Sequence, residues 1–137
     1  MKRVLVIEDD KTYRELLAAL LSKEFEIMES TGLLSGIVAI NSRNFDAVIL
    51  DPGLPDCRRE EAVAAVKHAN PSALVLVLSG DDKPETIRKA IEDNASGYFI
   101  KGRDDESSER LSASIRLAIA TNQNCQLLDQ ARKNVEQ

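Results

Sequence analysis

Short apolar runs alternate along the chain with longer amphipathic stretches. Five of the runs have the length and composition of β-strands, and they lie at 3–7, 25–29, 46–50, 74–78 and 97–100. The first, third and fourth are almost continuously apolar and rich in Val, Ile and Leu, which is typical of parallel strands covered by helices on both faces. The second alternates between apolar and polar positions, and we predict that it is an edge strand.

Amphipathic stretches between and after these runs predict five helices. Each stretch carries apolar residues at helical spacing: Leu16, Leu17, Leu20 and Leu21; Leu34, Ile37, Val38 and Ile40; Ala62, Val63 and Val66; Ile87, Ala90 and Ile91; Leu111, Ile115, Ala118 and Ile119. Pro84 suits the first turn of the fourth helix, and Asn94 is a candidate to end it. Regular alternation of strands and helices predicts an α/β fold with a parallel sheet.

The last predicted helix begins near Ser107 or Ser108 and has no clear stop signal. Residues 122–137 include no Gly or Pro, and their apolar residues keep a loose three- to four-residue spacing. A helix from about 107 to 136 would span roughly 45 Å, which exceeds what one small domain can bury. We therefore predict a domain at 1–121 and a helical extension at 122–137 that dimerises or leads into an output domain. A frayed polar tail is the alternative.

Composition and charge narrow the class of protein. The 137 residues are 43% apolar and 30% charged, a balance that suits one globular domain with its own core. The net charge of −5 and the lack of a Lys/Arg cluster argue against direct nucleic-acid binding. No apolar run could cross a membrane, and the N-terminus lacks the features of a signal peptide, so we expect a cytoplasmic protein. Cys57 and Cys125 lie far apart and are expected to be reduced thiols.

Polar residues directly after the predicted strands carry the candidate chemistry. In chain order they are Glu8, Asp9 and Asp10 after the first strand, Asp51 after the third, Ser79 after the fourth and Lys101 after the fifth. Ligands of open α/β sheets bind beyond the carboxyl ends of the strands, so we expect these groups to converge. Converging carboxylates repel each other unless a cation such as Mg²⁺ joins them. Acids, a hydroxyl and an ammonium group together predict phosphoryl transfer by positioning and charge neutralisation.

Four motifs, VLVIEDD, ILDPGLPD, VLSG and GYFIK, resemble in order and spacing the receiver domains of two-component response regulators. The resemblance runs from residue 3 to about 120. It implies a flavodoxin-like (βα)5 three-layer sandwich whose parallel sheet has the strand order 2-1-3-4-5. It also implies a signalling switch rather than a turnover enzyme, with a sensor histidine kinase or a phosphotransfer protein as its partner.

The resemblance assigns the acceptor and the metal site residue by residue. Asp51 corresponds to the aspartate that takes the phosphoryl group and also ligates Mg²⁺. Asp9 corresponds to a direct ligand of the ion, and Glu8 to an acid that contacts it directly or through water. Gly53 corresponds to the residue whose backbone carbonyl completes the protein ligands.

The resemblance also assigns the residues that respond to the transferred group. Ser79 corresponds to the switch hydroxyl that binds a phosphoryl oxygen, and Lys101 to the ammonium group that neutralises its charge. Tyr98 corresponds to the aromatic switch coupled to Ser79, although simple core packing would also explain it. The implied partner surface consists of the fourth helix, the fifth strand and the fifth helix.

Several neighbouring residues have simpler structural interpretations. We expect Asp10 to cap the first helix, Asp56 to cap the loop after the third strand, and Asp81 with Asp82 to form a solvated turn. His68 follows an apolar helix face and is expected at the surface.

Three positions depart from the pattern of the family. Gly102 follows Lys101 where proline is common, and Arg59 stands where the loop before the third helix often has glycine. Gly53 offers no side chain that could orient or block a hydrolytic water.

Two other functions stay open. A receiver-like interaction module that is never phosphorylated is the main alternative, but such modules typically lose the acids or the lysine. A metal-dependent phosphatase or nucleic-acid enzyme on a related sheet would need an Asp-x-Asp motif. The chain has Glu-Asp-Asp after the first strand and Asp-Pro-Gly after the third.

Overall fold

Five parallel strands form one sheet in this computed structural model. The structure describes residues 1–103 and 108–136, and only the backbone is described for residues 108, 123–130 and 133–136. The strands are β1 (Lys2–Ile7), β2 (Phe25–Ser30), β3 (Ala47–Leu50), β4 (Val75–Ser79) and β5 (Gly97–Ile100). Their order is β2-β1-β3-β4-β5, with β2 at an edge. The predicted order, the edge strand and all five strands are confirmed, with bounds that differ by one residue at most.

The helices are α1 (Lys11–Leu21), α2 (Leu33–Ser42), α3 (Ala62–Ala69), α4 (Pro84–Glu92) and α5 (Ser108–Glu136). A short 3₁₀ turn, Arg59–Glu61, precedes α3. Pro84 occupies the first turn of α4, as predicted. Asn94 follows the end of that helix with φ of 74°, a left-handed conformation that Asn tolerates better than most residues.

Each face of the sheet has its own apolar core, because side chains along a strand alternate between the faces. Leu5 and Ile7 of β1 pack in a cluster with residues of α2, α3 and α4. Val4 and Val6 pack in a second cluster with residues of α1 and α5. The result is the predicted three-layer sandwich, in which the polar residues at the strand ends are left to form a site.

The apolar pattern identified α2 correctly but only part of the face that it buries, since Ile40 is buried and Ile37 packs against the core. Leu34 and Val38 belonged to the predicted face, yet they are 69% and 65% exposed. The buried residues are Leu33, Gly36, Ala39 and Ile40. Gly36 explains this orientation, because a Cβ at that position would collide with the side chain of Ile7. The helix therefore turns its glycine towards β1, and Leu34 and Val38 remain on the exposed side.

Asp56 caps α2 and not its own loop, so its predicted role was wrong. Its carboxylate accepts hydrogen bonds from the N–H groups of Leu33 and Leu34 at 2.9 and 3.0 Å. These first N–H groups of a helix have no partner within the helix. Gly32, the residue before the helix, has no side chain to satisfy them. The N–H groups of Leu34 and Leu33 also hold the pKa of Asp56 below its usual value.

We expect Asp56→Ala to lower the free energy of unfolding by about 1 kcal/mol, as for other lost helix caps. Asp82→Ala is the matched control, because it removes the same charge from an exposed loop residue and should change stability by less than about 0.5 kcal/mol. Urea unfolding of both variants measures the difference. Identical midpoints for Asp56→Ala and the control would show that the cap does not stabilise the fold.

α5 continues without a break from Ser108 to Glu136, roughly 44 Å at 1.5 Å per residue. Its start agrees with the predicted Ser108, whereas Ser107 lies outside the described residues. Leu111, Ile115 and Ile119 bury the first part of the helix against the sheet. The backbone stays helical beyond residue 121, as the absence of Gly and Pro there predicts. The side chain of Cys125 lies outside what the structure describes.

No helix among the described residues combines the length and the apolar character that crossing a bilayer requires.

Candidate functional site

The carboxyl ends of β1, β3 and β5 bring three charged side chains into contact. Lys101, directly after β5, donates from Nζ to Oε2 of Glu8 at 2.8 Å and to Oδ2 of Asp51 at 2.9 Å. Glu8 follows β1 and Asp51 follows β3, and the register pairs the last residues of these two strands. The two carboxylates lie close together because β1 and β3 are neighbours in the sheet. The position of Lys101 after β5 lets its ammonium group contact both of them.

Glu8, Asp9 and Asp51 form a cluster of three acids. One carboxylate oxygen from each lies within 4.8 Å of the others. Glu8 is buried, Asp51 is half-buried and Asp9 is exposed, so the cluster opens towards solvent on one side. The N–H of Gly53 donates to Oδ1 of Asp51 at 2.9 Å and holds the start of the loop against this carboxylate. Oxygen ligands in this number suit a hard divalent cation.

Burial and the lysine set the ionisation of these groups. Burial raises the pKa of Glu8 to about 7, although the hydrogen bond from Lys101 opposes the shift. Burial would also raise the pKa of Asp51, but the Gly53 N–H and the Lys101 ammonium outweigh it, so this pKa lies below its usual value. Burial disfavours the charged form of Lys101, yet its two carboxylate partners raise its pKa. The carboxylate of Asp51 therefore stays ionised at neutral pH.

We expect the stability of the metal-free protein to fall as the pH rises from 4.5 to about 7. The pKa of Glu8 rises on folding from 4.5 to about 7, so in this window the folded protein keeps a proton that the unfolded chain has released. The contribution of protonated Glu8 to stability is complete below pH 4.5 and is lost as the pH rises through about 7. Between these values the free energy of unfolding falls by up to about 1.4 kcal/mol per pH unit. The pKa values of Asp51, Asp56 and Asp81 are lowered from 3.8, so these groups change the stability only at more acidic pH.

Denaturant unfolding at a series of pH values, in the presence of a chelator, measures this slope. Glu8→Gln is neutral throughout and should show a flatter profile than the wild type. A variant profile as steep as that of the wild type would assign the slope to another group.

Tyr13 packs on Lys101, a contact that the sequence did not predict. The ammonium nitrogen lies 4.4 Å from the centre of the Tyr13 ring, within the range of a cation–π interaction. Tyr13 belongs to the first turn of α1, which Asp10 caps by accepting the Tyr13 N–H at 3.2 Å, as predicted. Gly102 follows Lys101 with φ of 80°, a conformation that glycine adopts without strain.

Ser79 and Tyr98 meet at the backbone of Asp81. The buried Oγ of Ser79 accepts the N–H of Asp81 at 3.1 Å. The hydroxyl of Tyr98 donates to the carbonyl oxygen of Asp81 at 2.7 Å. Burial raises the pKa of Tyr98, and a hydrogen bond with Ser79 opposes the shift. Tyr98 also packs against the apolar core, which confirms the core-packing explanation, whereas its role as a switch stays a prediction.

Asp81 organises the start of α4, so its predicted role in a solvated turn was wrong. Its side chain is only 11% exposed, and its carboxylate accepts the N–H of Lys83 at 2.9 Å and the hydroxyl of Thr86 at 3.0 Å. Nη1 of Arg59, from the loop after β3, lies 3.3 Å from Oδ2 of Asp81. The prediction is confirmed for Asp82, which is exposed.

An open cavity of about 520 Å³ lies above Asp51. The residues that line it come from the loops after β3, β4 and β5: Asp51, Gly53, Arg59, Ser79, Gly80, Asp81, Asp82, Lys83 and Lys101. Asp51, Ser79 and Lys101 thus share one solvent-filled space, as the strand ends predict. Arg59 shares it too, although the sequence marked it only as a departure from the family pattern.

His68 on α3 lies at the surface, as predicted. Cys57 is a half-buried free thiol.

A family model described as "Response regulator receiver domain" matches residues 4–115. The transcriptional regulatory protein PmrA of Pectobacterium parmentieri is 32% identical over 122 residues, which are 88% of this chain and 54% of that protein. The chemotaxis protein CheY of Halobacterium salinarum is 28% identical over 101 residues, 73% of this chain and 84% of that protein. A cyclic di-GMP phosphodiesterase of Thermotoga maritima is 32% identical over 100 residues, and the chain spans only 26% of its length.

Solved structures match over nearly the whole chain. NtrX from Brucella abortus has a TM-score of 0.86 and 26% identity, and the match covers 96% of this chain and 30% of that one. The beryllofluoride-activated NtrC4 receiver domain dimer has a TM-score of 0.79 and 28% identity, with coverage of 89% and 99%. A CheY-like protein from Methanospirillum hungatei, at a TM-score of 0.82 and 18% identity, supports the fold alone; its match covers 90% and 98%.

Proposed function

The chain belongs to the family of response regulator receiver domains, and we propose that it accepts a phosphoryl group on Asp51 from a sensor histidine kinase or a phosphotransfer protein. The contact of Asp51 with Lys101 is the observation that carries the proposal, because both residues line an open cavity and Asp51 also clusters with Glu8 and Asp9. It combines a nucleophile, a cation for the transferred group and acids for a metal ion in one accessible place.

The chemistry assigned to Asp51 is a nucleophilic displacement at phosphorus. A carboxylate oxygen of Asp51 forms a bond to the phosphorus while the bond from phosphorus to the donor's histidine nitrogen breaks. The electron pair of the broken bond stays on that nitrogen, which takes a proton from solvent, and Asp51 becomes an acyl phosphate. Water reverses the modification by attacking phosphorus, which restores the carboxylate and releases inorganic phosphate. The lowered pKa of Asp51 supports the first step, because only the ionised carboxylate is nucleophilic.

Glu8, Asp9 and Asp51 suit Mg²⁺, and in this proposal the backbone carbonyl of Gly53 is a further ligand. The fit rests on the spacing of the three carboxylates. The raised pKa of Glu8 supports it, because burial and the neighbouring Asp51 both disfavour the charged form of Glu8. When bound, Mg²⁺ supplies positive charge to the carboxylates and to phosphoryl oxygens. Lys101 supplies a second positive charge from the opposite edge of the cluster, through its bonds to Glu8 and Asp51.

The response to phosphorylation is assigned to Ser79 and Tyr98. We propose that the Ser79 hydroxyl binds a phosphoryl oxygen, which changes its contacts with Asp81 and Tyr98. The partner surface formed by α4, β5 and α5 would then change, since Tyr98 belongs to β5 and bonds to the loop before α4. In this proposal the protein is a cytoplasmic signalling switch and catalyses only its own phosphorylation and dephosphorylation.

Residues 1–121 are proposed to form the receiver unit, and 122–137 a helical extension that dimerises or joins an output domain. The unbroken α5 supports this division. The chain spans 26% of the phosphodiesterase and 54% of PmrA, which is named as a transcriptional regulatory protein. A similar solved receiver domain is described as a dimer. The net charge of −5 supports the expectation that these residues do not contact nucleic acid themselves.

Incubation with Mg²⁺ and acetyl phosphate, followed by intact-protein mass spectrometry, tests the proposed function. We expect an acid-stable and base-labile gain of one phosphoryl group that requires Mg²⁺. Folded protein that binds neither Mg²⁺ nor a phosphoryl group would instead support an interaction module that works without phosphorylation.

A further inference from the structure

Gly53 leaves a space beside Asp51 that another residue fills. A Cβ built on Gly53 would lie 3.1 Å from Nη2 of Arg59 and 3.4 Å from Oδ1 of Asp51. The Arg59 guanidinium therefore occupies the region into which a side chain at position 53 would extend. Lys101 contacts Oδ2 of Asp51. Arg59 lies on the side of Oδ1, because one Cβ position at Gly53 would be within 3.4 Å of both Oδ1 and Nη2 of Arg59.

The contact that holds Arg59 is weak enough to be exchanged. Its ion pair with Asp81 has an N···O distance of 3.3 Å, and the Arg59 side chain is 50% exposed. Ion pairs of this kind contribute up to about 1 kcal/mol. Asp81 also accepts hydrogen bonds from Lys83 and Thr86, so its carboxylate keeps two donors if Arg59 leaves.

A phosphoryl group on Asp51 would be a stronger partner for Arg59 than Asp81 is. It carries a charge of about −1.5 to −2 at neutral pH and three acceptor oxygens. A guanidinium group can donate two parallel N–H bonds to such oxygens, which an ammonium group cannot do. Arg59 lines the same cavity as Asp51, Ser79 and Lys101, so it can reach the group without rearrangement of the sheet.

We propose that Arg59 is a second phosphoryl-binding cation of this site, and that it exchanges Asp81 for an oxygen of the phosphoryl group on Asp51. This inference rests on the proposed function, because it requires Asp51 to be the acceptor. It gives a role to two departures from the family pattern at once, since the guanidinium of Arg59 takes the place that Gly53 leaves open.

Binding of beryllofluoride, a phosphoryl mimic, at saturating Mg²⁺ tests the role of Arg59. We expect Arg59→Ala to weaken the affinity about tenfold and Arg59→Lys to weaken it less, because lysine keeps the charge but not the paired donors. Arg58→Ala is the matched control, since it removes the same charge from the adjacent exposed position. Its affinity should stay within about twofold of the wild type. Mg²⁺ binding, titrated separately, should not weaken in Arg59→Ala.

The exchange with Asp81 is tested by a double-mutant cycle. Asp81→Asn keeps an oxygen acceptor for the N–H of Lys83 but releases Arg59 from its ion pair, so beryllofluoride should bind about threefold more tightly. Most of this gain should disappear when Arg59 is also alanine. An equal gain in both backgrounds would overturn the exchange.

The proposed function and the role of Arg59 can be overturned separately. Wild-type protein that neither binds beryllofluoride nor gains a phosphoryl group would remove the proposed function. Wild-type binding together with equal affinities for Arg59→Ala and Arg58→Ala would remove only the role of Arg59.

Discussion

Asp51→Asn is expected to abolish phosphorylation, both from acetyl phosphate and from a phosphohistidine donor. The amide of asparagine is not a nucleophile at neutral pH, so no acyl phosphate can form. The fold should persist, because asparagine has nearly the same shape and its oxygen can still accept the Gly53 N–H. The substitution also removes one of the two carboxylates that repel each other beside Lys101.

Asp46→Asn is the matched control for this prediction. Asp46 precedes β3, whereas Asp51 follows it, and its carboxylate accepts the N–H of Arg3 far from the acidic cluster. Mass spectrometry should show one added phosphoryl group on Asp46→Asn and none on Asp51→Asn. A full gain of mass on Asp51→Asn would show that the acceptor is another residue.

Lys101→Ala is expected to slow phosphorylation roughly 100-fold while strengthening Mg²⁺ binding. The rate falls because the ammonium group no longer stabilises the negative charge of the phosphoryl group during transfer. Mg²⁺ binds more tightly because a competing positive charge, within 2.9 Å of both Glu8 and Asp51, has been removed. A slower rate combined with tighter Mg²⁺ binding would indicate that Lys101 acts on the phosphoryl group. It would not fit a general role of Lys101 in maintaining the acidic cluster.

Initial rates with acetyl phosphate at saturating Mg²⁺ and a separate Mg²⁺ titration measure the two effects of Lys101→Ala. Lys83→Ala removes an equal charge from the lining of the same cavity, where the backbone N–H of Lys83 bonds to Asp81, and should leave both values close to wild type. Loss of Mg²⁺ affinity in Lys101→Ala would contradict the proposed role.

The sequence predicted the charged cluster well because its members lie where apolar strands end. Glu8, Asp51 and Lys101 each follow such a strand, and in a parallel sheet these ends lie at one edge. Position along the chain therefore determines position in space for these residues. The roles assigned to them come from the family resemblance and stay predictions until the variants are measured.

Contacts between loops could not be predicted in the same way. Arg59 and Asp81 are 22 residues apart, and neither the local pattern nor the spacing indicates that their side chains meet. The contact of Tyr13 with Lys101 is equally hidden, because it depends on where the first turn of α1 lies relative to the residue after β5. The buried face of α2 was predicted only in part, for a different reason. Residues 33–40 are almost all apolar, so their pattern does not distinguish one face from another.

The cap on α2 has a consequence for motion. The bonds from Leu33 and Leu34 to Asp56 join the loop after β3 to a helix that is 22 residues away in sequence. If the loop shifts when Asp51 is modified, it must either pull the first turn of α2 with it or expose two amide protons to water. Hydrogen exchange at Leu33 and Leu34 would therefore register a modification of Asp51 from a different part of the molecule.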